Sequence, residues 1–227
     1  MPRRPLTCTN QFPYHVTSRS NNREWFYLPI EKVWQISCAA VFSVSEKYRV
    51  NTYSFVLLSN HFHWMLETPM NNLGDVMRDF LTQVSKDIQR HSGRINHIFG
   101  ARYKWSILDS PYSVAYVQKY ILRNPVRAGL SDLVESYRFS SLTNGDALPM
   151  ASGVGSLWTA VPKRKSDLLA WLNAPTAKDL ETQIAKALRK EFFKFSTDNV
   201  NQKAIRALRG SYAIEPPDRF FSSLMGD

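Results

Sequence analysis

Two histidines separated by one apolar residue, His61-Phe62-His63, have the chemistry of a metal-ligand pair. Side chains two apart on a strand share a face, and Phe62 between them points the other way, where it can anchor a sheet. Two imidazoles held side by side on rigid backbone are what a divalent metal asks of a strand. The triplet is also read as two surface histidines hydrogen-bonded to neighbours, so alone it leaves both readings open. A second group recurs every four residues: Tyr112, Tyr116, Tyr120 and Asn124. On a helix these share one face. Val117 and Ile121 beside them suit packing against a sheet, which accounts for Tyr112 and Tyr116. Tyr120 differs, because one turn further on stands Asn124, whose amide oxygen suits hard cations such as magnesium or manganese. A phenol nucleophile and a metal ligand would then share one helical turn.

These groups need strands, a hairpin and a helix to position them, and the patterning supplies each. Pro13 to Ser18 reads as a strand and Arg19 to Glu24 as a polar loop. Glu31 to about Ser45 carries Val33, Ile36, Ala40, Val41 and Val44 at helical spacing. Val50 to Leu57 and His61 to Glu67 are β-rich runs joined by Leu58-Ser59-Asn60, a hairpin's length. Asn71 to His91 shows an apolar helical stripe ending before Gly93, and Tyr103 to Leu108 is a further strand candidate. The tyrosine helix has the clearest start: Ser110 as cap, Pro111 at the first helical position, then an unbroken run to Asn124 before Pro125. Thr143 to Gly155, rich in Ser, Gly, Asn and Ala, reads as a linker. Beyond it Lys165 to Leu172, Ala177 to Phe193 and Val200 to Tyr212 read as helices of a small all-α unit over residues 156–227.

A chain of 227 residues with 44% hydrophobic and 21% charged residues can enclose a core, and disordered and low-complexity classes drop out. Its two cysteines, Cys8 and Cys38, make neither a disulfide framework nor a four-thiolate zinc site, which suits a reducing cytoplasm. No apolar run is long enough to span a membrane, and no membrane partner is expected. Against that ordinary background stands the charge: 29 Lys and Arg against 19 Asp and Glu, formally +10, which points to a polyanion. Arg19 and Arg23 flank the first loop, while Arg90, Arg94, Arg102 and Lys104 surround the link into the last strand. As phosphate contacts these would give salt-sensitive affinity; as scattered surface charge they would do nothing. Trp25, Phe26, Tyr103 and Trp105 are read either as base-stacking platforms or as core. His91 and His97 read as surface residues, and His15 as a support for the sheet.

The succession Tyr14-His15-Val16-Thr17, Asn60-His61-Phe62-His63, Arg90-His91-Ser92-Gly93-Arg94, Arg102-Tyr103-Lys104 and Tyr120-Ile121-Leu122-Arg123-Asn124-Pro125-Val126-Arg127-Ala128-Gly129 resembles the REP-associated tyrosine transposases, single-tyrosine HUH nucleases. The resemblance covers roughly Leu6 to Leu142, making residues 1–142 the nuclease domain. It implies an α+β fold with a ferredoxin-like antiparallel sheet and metal-dependent nicking and rejoining of single-stranded DNA at hairpin-forming, REP-like repeats. It further implies His61, His63 and Asn124 as ligands of magnesium or manganese, and Tyr120 as the nucleophile that forms a 5′-phosphotyrosine. A monomer working in the bacterial cytoplasm at the nucleoid is the expected setting. Ser20 and Ser59 depart from the family, which often has glycine and proline there, but neither touches a reacting group. Two other readings of the same fold stay open: a catalytically silent protein that binds structured DNA, and an RNA-binding protein. The C-terminal unit is expected either to assist DNA binding through Lys186, Arg189, Lys190 and Lys194 or to brace the fold.

Overall fold

The computed structural model describes residues 5–195. Four strands, β1 (Tyr14–Arg19), β2 (Asn51–Leu57), β3 (His61–Glu67) and β4 (Lys104–Ile107), form one antiparallel sheet in the order β2-β3-β1-β4. Helix α1 (Ile30–Tyr48) links β1 to β2 and α2 (Leu73–Ser92) links β3 to β4, giving the ferredoxin-like βαββαβ arrangement. The expected helix Val200–Tyr212 lies outside the described residues. Among those residues no helix is long and apolar enough to cross a membrane, and both cysteines are free.

Alternation along the strands divides the molecule into two cores. Phe62, Trp64 and Leu66 join Tyr14, Val16, Phe55 and Leu57 under α1 and α2. Trp64 is fully buried and its indole N–H donates to Thr52 Oγ1 at 3.2 Å, so the largest core side chain leaves no polar atom stranded. At the outer end of that layer Asp79 of α2 accepts hydrogen bonds from Lys47 Nζ at 2.7 Å and Tyr48 Oη at 2.6 Å, tying α1 to α2. These contacts hold the Asp79 carboxyl well below the usual carboxylate range. The opposite face carries Met65 and Val56 into a second core under α3 (Pro111–Leu122), α5 (Lys165–Asn173) and α6 (Lys178–Ala187). His61 and His63 alternate with Phe62 and therefore lie on this second face.

Helix α3 starts where its cap predicts. Ser110 Oγ accepts from Ser113 N at 3.2 Å, and Ser113 Oγ accepts from Ser110 N at 3.0 Å, a reciprocal box closed by two serines. Its end differs from the expected unbroken run. The helix stops at Leu122, and Asn124 opens a separate four-residue turn, α4 (Asn124–Arg127), across Arg123. The cause is Pro125, which has no N–H to continue the ladder. Arg123 keeps helical angles, φ −84° and ψ −6°, so Asn124 still follows about one turn after Tyr120.

Both edges of the sheet are occupied. Leu57 N donates to Phe139 O, Ser141 N to Phe55 O and Ala151 N to Thr52 O, so residues 139–151 run beside β2. Part of the segment read as a linker therefore lies against the sheet. On the far side Ile107 N donates to Glu191 O at 2.7 Å and Phe193 N to Ile107 O at 2.9 Å, flanking β4. Near the first loop, a side chain on Gly100 would come within 3.0 Å of the Asn21 backbone, and this bare position lets the loop 21–23 fold down beside β1. Ser20, where the family often has glycine, sits at φ −57° and needs no glycine freedom.

Candidate active site

The register brings three histidines to one face. Thr17 pairs with His63 and Arg19 with His61 across β1 and β3, and His15 lies on the same side two residues before Thr17. His15 Nε2 and His63 Nδ1 are 2.8 Å apart with their rings stacked, so one nitrogen donates to the other. His61 Nδ1 lies 2.7 Å from Asn60 Oδ1. The Asn60 amide is itself oriented, because its Nδ2 donates to Arg23 O at 2.7 Å. A carbonyl oxygen only accepts, so His61 carries its hydrogen on Nδ1 and keeps the Nε2 lone pair free.

Helix α3 delivers the tyrosine to the same place. The Tyr120 ring meets that of His63 edge-on, 5.7 Å between centroids. Arg127, one turn past Arg123, donates from one guanidinium nitrogen to Tyr120 Oη at 3.1 Å and to Asn124 Oδ1 at 2.9 Å, with the guanidinium over the Tyr120 ring. Tyr116, one turn earlier, packs on Phe195 at 5.5 Å instead. Tyr120 thus stands against His63 and shares Arg127 with Asn124.

Electrostatics fixes the imidazoles in the neutral form. Burial lowers His61 from 6.5 to about 4, with Arg19 and Arg127 adding to the effect. Burial likewise lowers His15 to about 3, and it takes His63 well below 6.5, helped by its histidine and arginine neighbours. Neutral imidazole is the ligating form. Among the described residues no three His, Cys, Asp or Glu side chains converge to hold a metal, so a cation on this face would take a ligand of another kind, and the Asn124 amide oxygen is a donor of that kind. Asn124 is buried, its Oδ1 accepts from Arg127, and its Nδ2 has no hydrogen-bond partner among the described residues. Two neutral imidazoles and one amide oxygen fit a divalent cation of the magnesium or manganese kind.

The expected phosphate contacts do not all share this face. Arg19 is exposed beside His61, and Lys104 lies opposite Thr17 in β4, so both border the histidines. Arg23 and Arg102 are exposed on neighbouring loops. Arg90 lies in the last turn of α2 and Arg94 two residues past its end, across the sheet. Arg90 pairs with Asp87 at 3.1 Å, and Arg94 lies 3.5 Å over the Tyr27 ring and 3.6 Å from Glu24. Of the aromatic candidates, Phe26, Tyr103 and Trp105 are core, whereas Trp25 is 76% exposed. Sequence reading gave no role to Arg127 and only a supporting one to His15. Arg127 is three residues past Asn124, a spacing that places it on the same helical face.

No family model matches the chain, and no curated protein matches it. Among solved structures, the chain is similar to a REP-associated tyrosine transposase bound to a REP hairpin. The two are 18% identical with a TM-score of 0.55, over 69% of this chain and 93% of that one. A Deinococcus radiodurans R1 protein provisionally assigned as a transposase is 13% identical with a TM-score of 0.37, over 53% and 94%, and carries no weight here. The chain thus has the fold of a REP-associated tyrosine transposase.

Proposed function

We propose that the chain is a metal-dependent single-tyrosine nuclease and transposase that nicks and rejoins single-stranded DNA at hairpin-forming repeats. The observation that carries this reading is the convergence of Tyr120, His63 and Asn124, with Arg127 bonded to both the phenol and the amide. The fold it shares with a transposase bound to a REP hairpin supports a hairpin-bearing DNA as substrate.

The chemistry follows from the residues. Tyr120 Oη attacks a phosphorus, an Oη–P bond forms, the P–O3′ bond breaks, and the 3′ oxygen leaves as a hydroxyl after taking a proton. The phenolic proton passes to solvent. Because the phosphodiester is exchanged for a phosphotyrosine ester, the reverse step reseals a strand without ATP. Arg127 holds the phenol oxygen and sets a fixed positive charge beside the arriving phosphate. His15 and Asn60 hold the two imidazoles in place. A cation held by His61, His63 and Asn124 would supply Lewis-acid stabilisation of phosphoryl charge.

The test is incubation with labelled hairpin-bearing single strands and manganese, followed by denaturing electrophoresis. A covalent protein–DNA band that needs manganese and vanishes with chelator supports the reading. Hairpin binding without any adduct would establish a silent binder, and preference for the matched RNA hairpin would establish an RNA-binding protein.

A further inference from the structure

Helix α6 carries two stripes. Leu180, Ile184, Ala187 and Leu188 are buried in the second core. The other stripe, Lys178, Thr182, Lys186 and Arg189, lines an open groove of about 490 Å³ whose lining also includes Arg127. The four cations Lys178, Lys186, Arg189 and Arg127 are all exposed, and none forms an ion pair with a carboxylate among the described residues. The acidic residue of the lining is Glu181, so the groove sets four cations against one carboxylate. Arg127 is thus shared: the guanidinium bonded to Tyr120 Oη also borders the groove.

Four cations against one carboxylate on an open face raise its potential and draw in a polyanion. The groove is open along its length, so a strand can lie with its phosphates against the cations. Along α6, Lys178 to Lys186 spans about 12 Å at 1.5 Å per residue, which matches about three phosphates of a stacked strand. We infer that this groove is the track of the single strand leaving the candidate active site, with its phosphates set against Lys178, Lys186 and Arg189 and then Arg127. The inference rests on the nuclease reading, because it takes the strand from Tyr120.

Fluorescence anisotropy in chelator, where no cutting occurs, reads the track directly. The ligands are one hairpin bearing a single-stranded tail and the same hairpin without it. The variant Lys178→Gln/Lys186→Gln/Arg189→Gln should flatten the log Kd against log salt slope for the tailed hairpin by about 2, at about 0.7 for each phosphate no longer neutralised. The tailless hairpin should keep its slope. Lys178→Arg/Lys186→Arg should behave as the parent protein does. So should Lys32→Gln/Lys86→Gln, which removes charge from the helices across the sheet. An unchanged slope in the triple variant, an equal flattening on the tailless hairpin, or the same flattening in the across-sheet control overturns the track. The nuclease reading fails separately, by the absence of an adduct from the parent protein with manganese.

Discussion

His15 Nε2 stands 2.8 Å from His63 Nδ1, inside the sheet face that carries the candidate site. If His63 ligates through Nε2, its Nδ1–H must donate to His15, which makes His15 the residue that selects the ligand's tautomer. His15→Ala should raise the manganese concentration for half-maximal adduct formation about 10- to 100-fold, the usual cost of losing such a partner. His15→Gln, whose amide oxygen can accept the same hydrogen, should fall nearer the parent protein. Nitrogen-15 spectra of the histidines supply an independent reading: hydrogen on His63 Nε2 would sink the assignment.

The tyrosine stripe gives the sharpest separation. Phenylalanine at Tyr120 removes one oxygen and keeps the ring against His63, so folding and hairpin binding should persist while the adduct disappears. The same change at Tyr116, which packs on Phe195, or at Tyr112 should leave adduct yield within about twofold, the scale of a surface substitution. Mass spectrometry of the digested adduct should find the nucleotide on Tyr120; a nucleotide on Tyr116 would refute the mechanism.

Replacing His61 and His63 together by alanine should separate binding from chemistry. The double variant should keep its hairpin affinity and lose at least about 100-fold in adduct rate, since it would remove two of the three proposed ligands of a Lewis acid worth several kcal/mol. Cutting at the parent rate with manganese present would remove both histidines from the ligand set.

Stability should depend on pH through the same cluster. His15 and His61 sit at about 3 and about 4 in the folded chain, and His63 well below 6.5, whereas all three titrate near 6.5 once unfolded. Below pH 6.5 the unfolded chain therefore takes up protons that the folded chain refuses. Stability is full above that value and falls as the pH drops, each histidine contributing about 1.4 kcal/mol per pH unit within its window. Urea titrations between pH 5 and 6.5, above most carboxylate titration, should show the decline, and His15→Gln should remove one histidine's share. A flat profile over that range would mean the imidazoles are not held neutral.

The start of α3 offers a test of local structure alone. Ser110→Ala removes the side-chain acceptor for Ser113 N and should cost about 1 kcal/mol in urea denaturation. Ten residues separate this cap from Tyr120, so manganese-dependent adduct formation at 25 °C should be unaffected.

Local pattern carried far into this structure. Period-two alternation placed Phe62 in the core and the two histidines opposite, and the bounds of β3 fall where its composition puts them. The serine cap and Pro111 located the start of α3. What local pattern could not show was neighbourhood. The partnership of His15 and His63 depends on β1 lying beside β3, a fact of sheet order that no window of sequence contains. Arg94 stands among basic neighbours in sequence, and its contacts with Tyr27 and Glu24, residues far from it in sequence, come from the fold. Likewise Thr143 to Gly155 has a linker's composition, but Ala151 bonds to Thr52 through its backbone, which side-chain composition does not report.

The occupied edges of the sheet have a consequence for trimming the chain. A bare edge strand presents a row of unpaired amides and carbonyls and templates pairing with another copy. Here residues 139–151 run beside β2, and residues 191–193 cover β4 at Ile107. A version ending at Leu142 would keep all four strands, the three histidines and Tyr120, yet bare the amide and carbonyl of Ile107. Such a fragment keeps the residues of the candidate site, loses the α5 and α6 side of the second core, and gains a self-complementary seam. It would be expected to associate edge to edge and to aggregate as its concentration rises, where the longer chain does not.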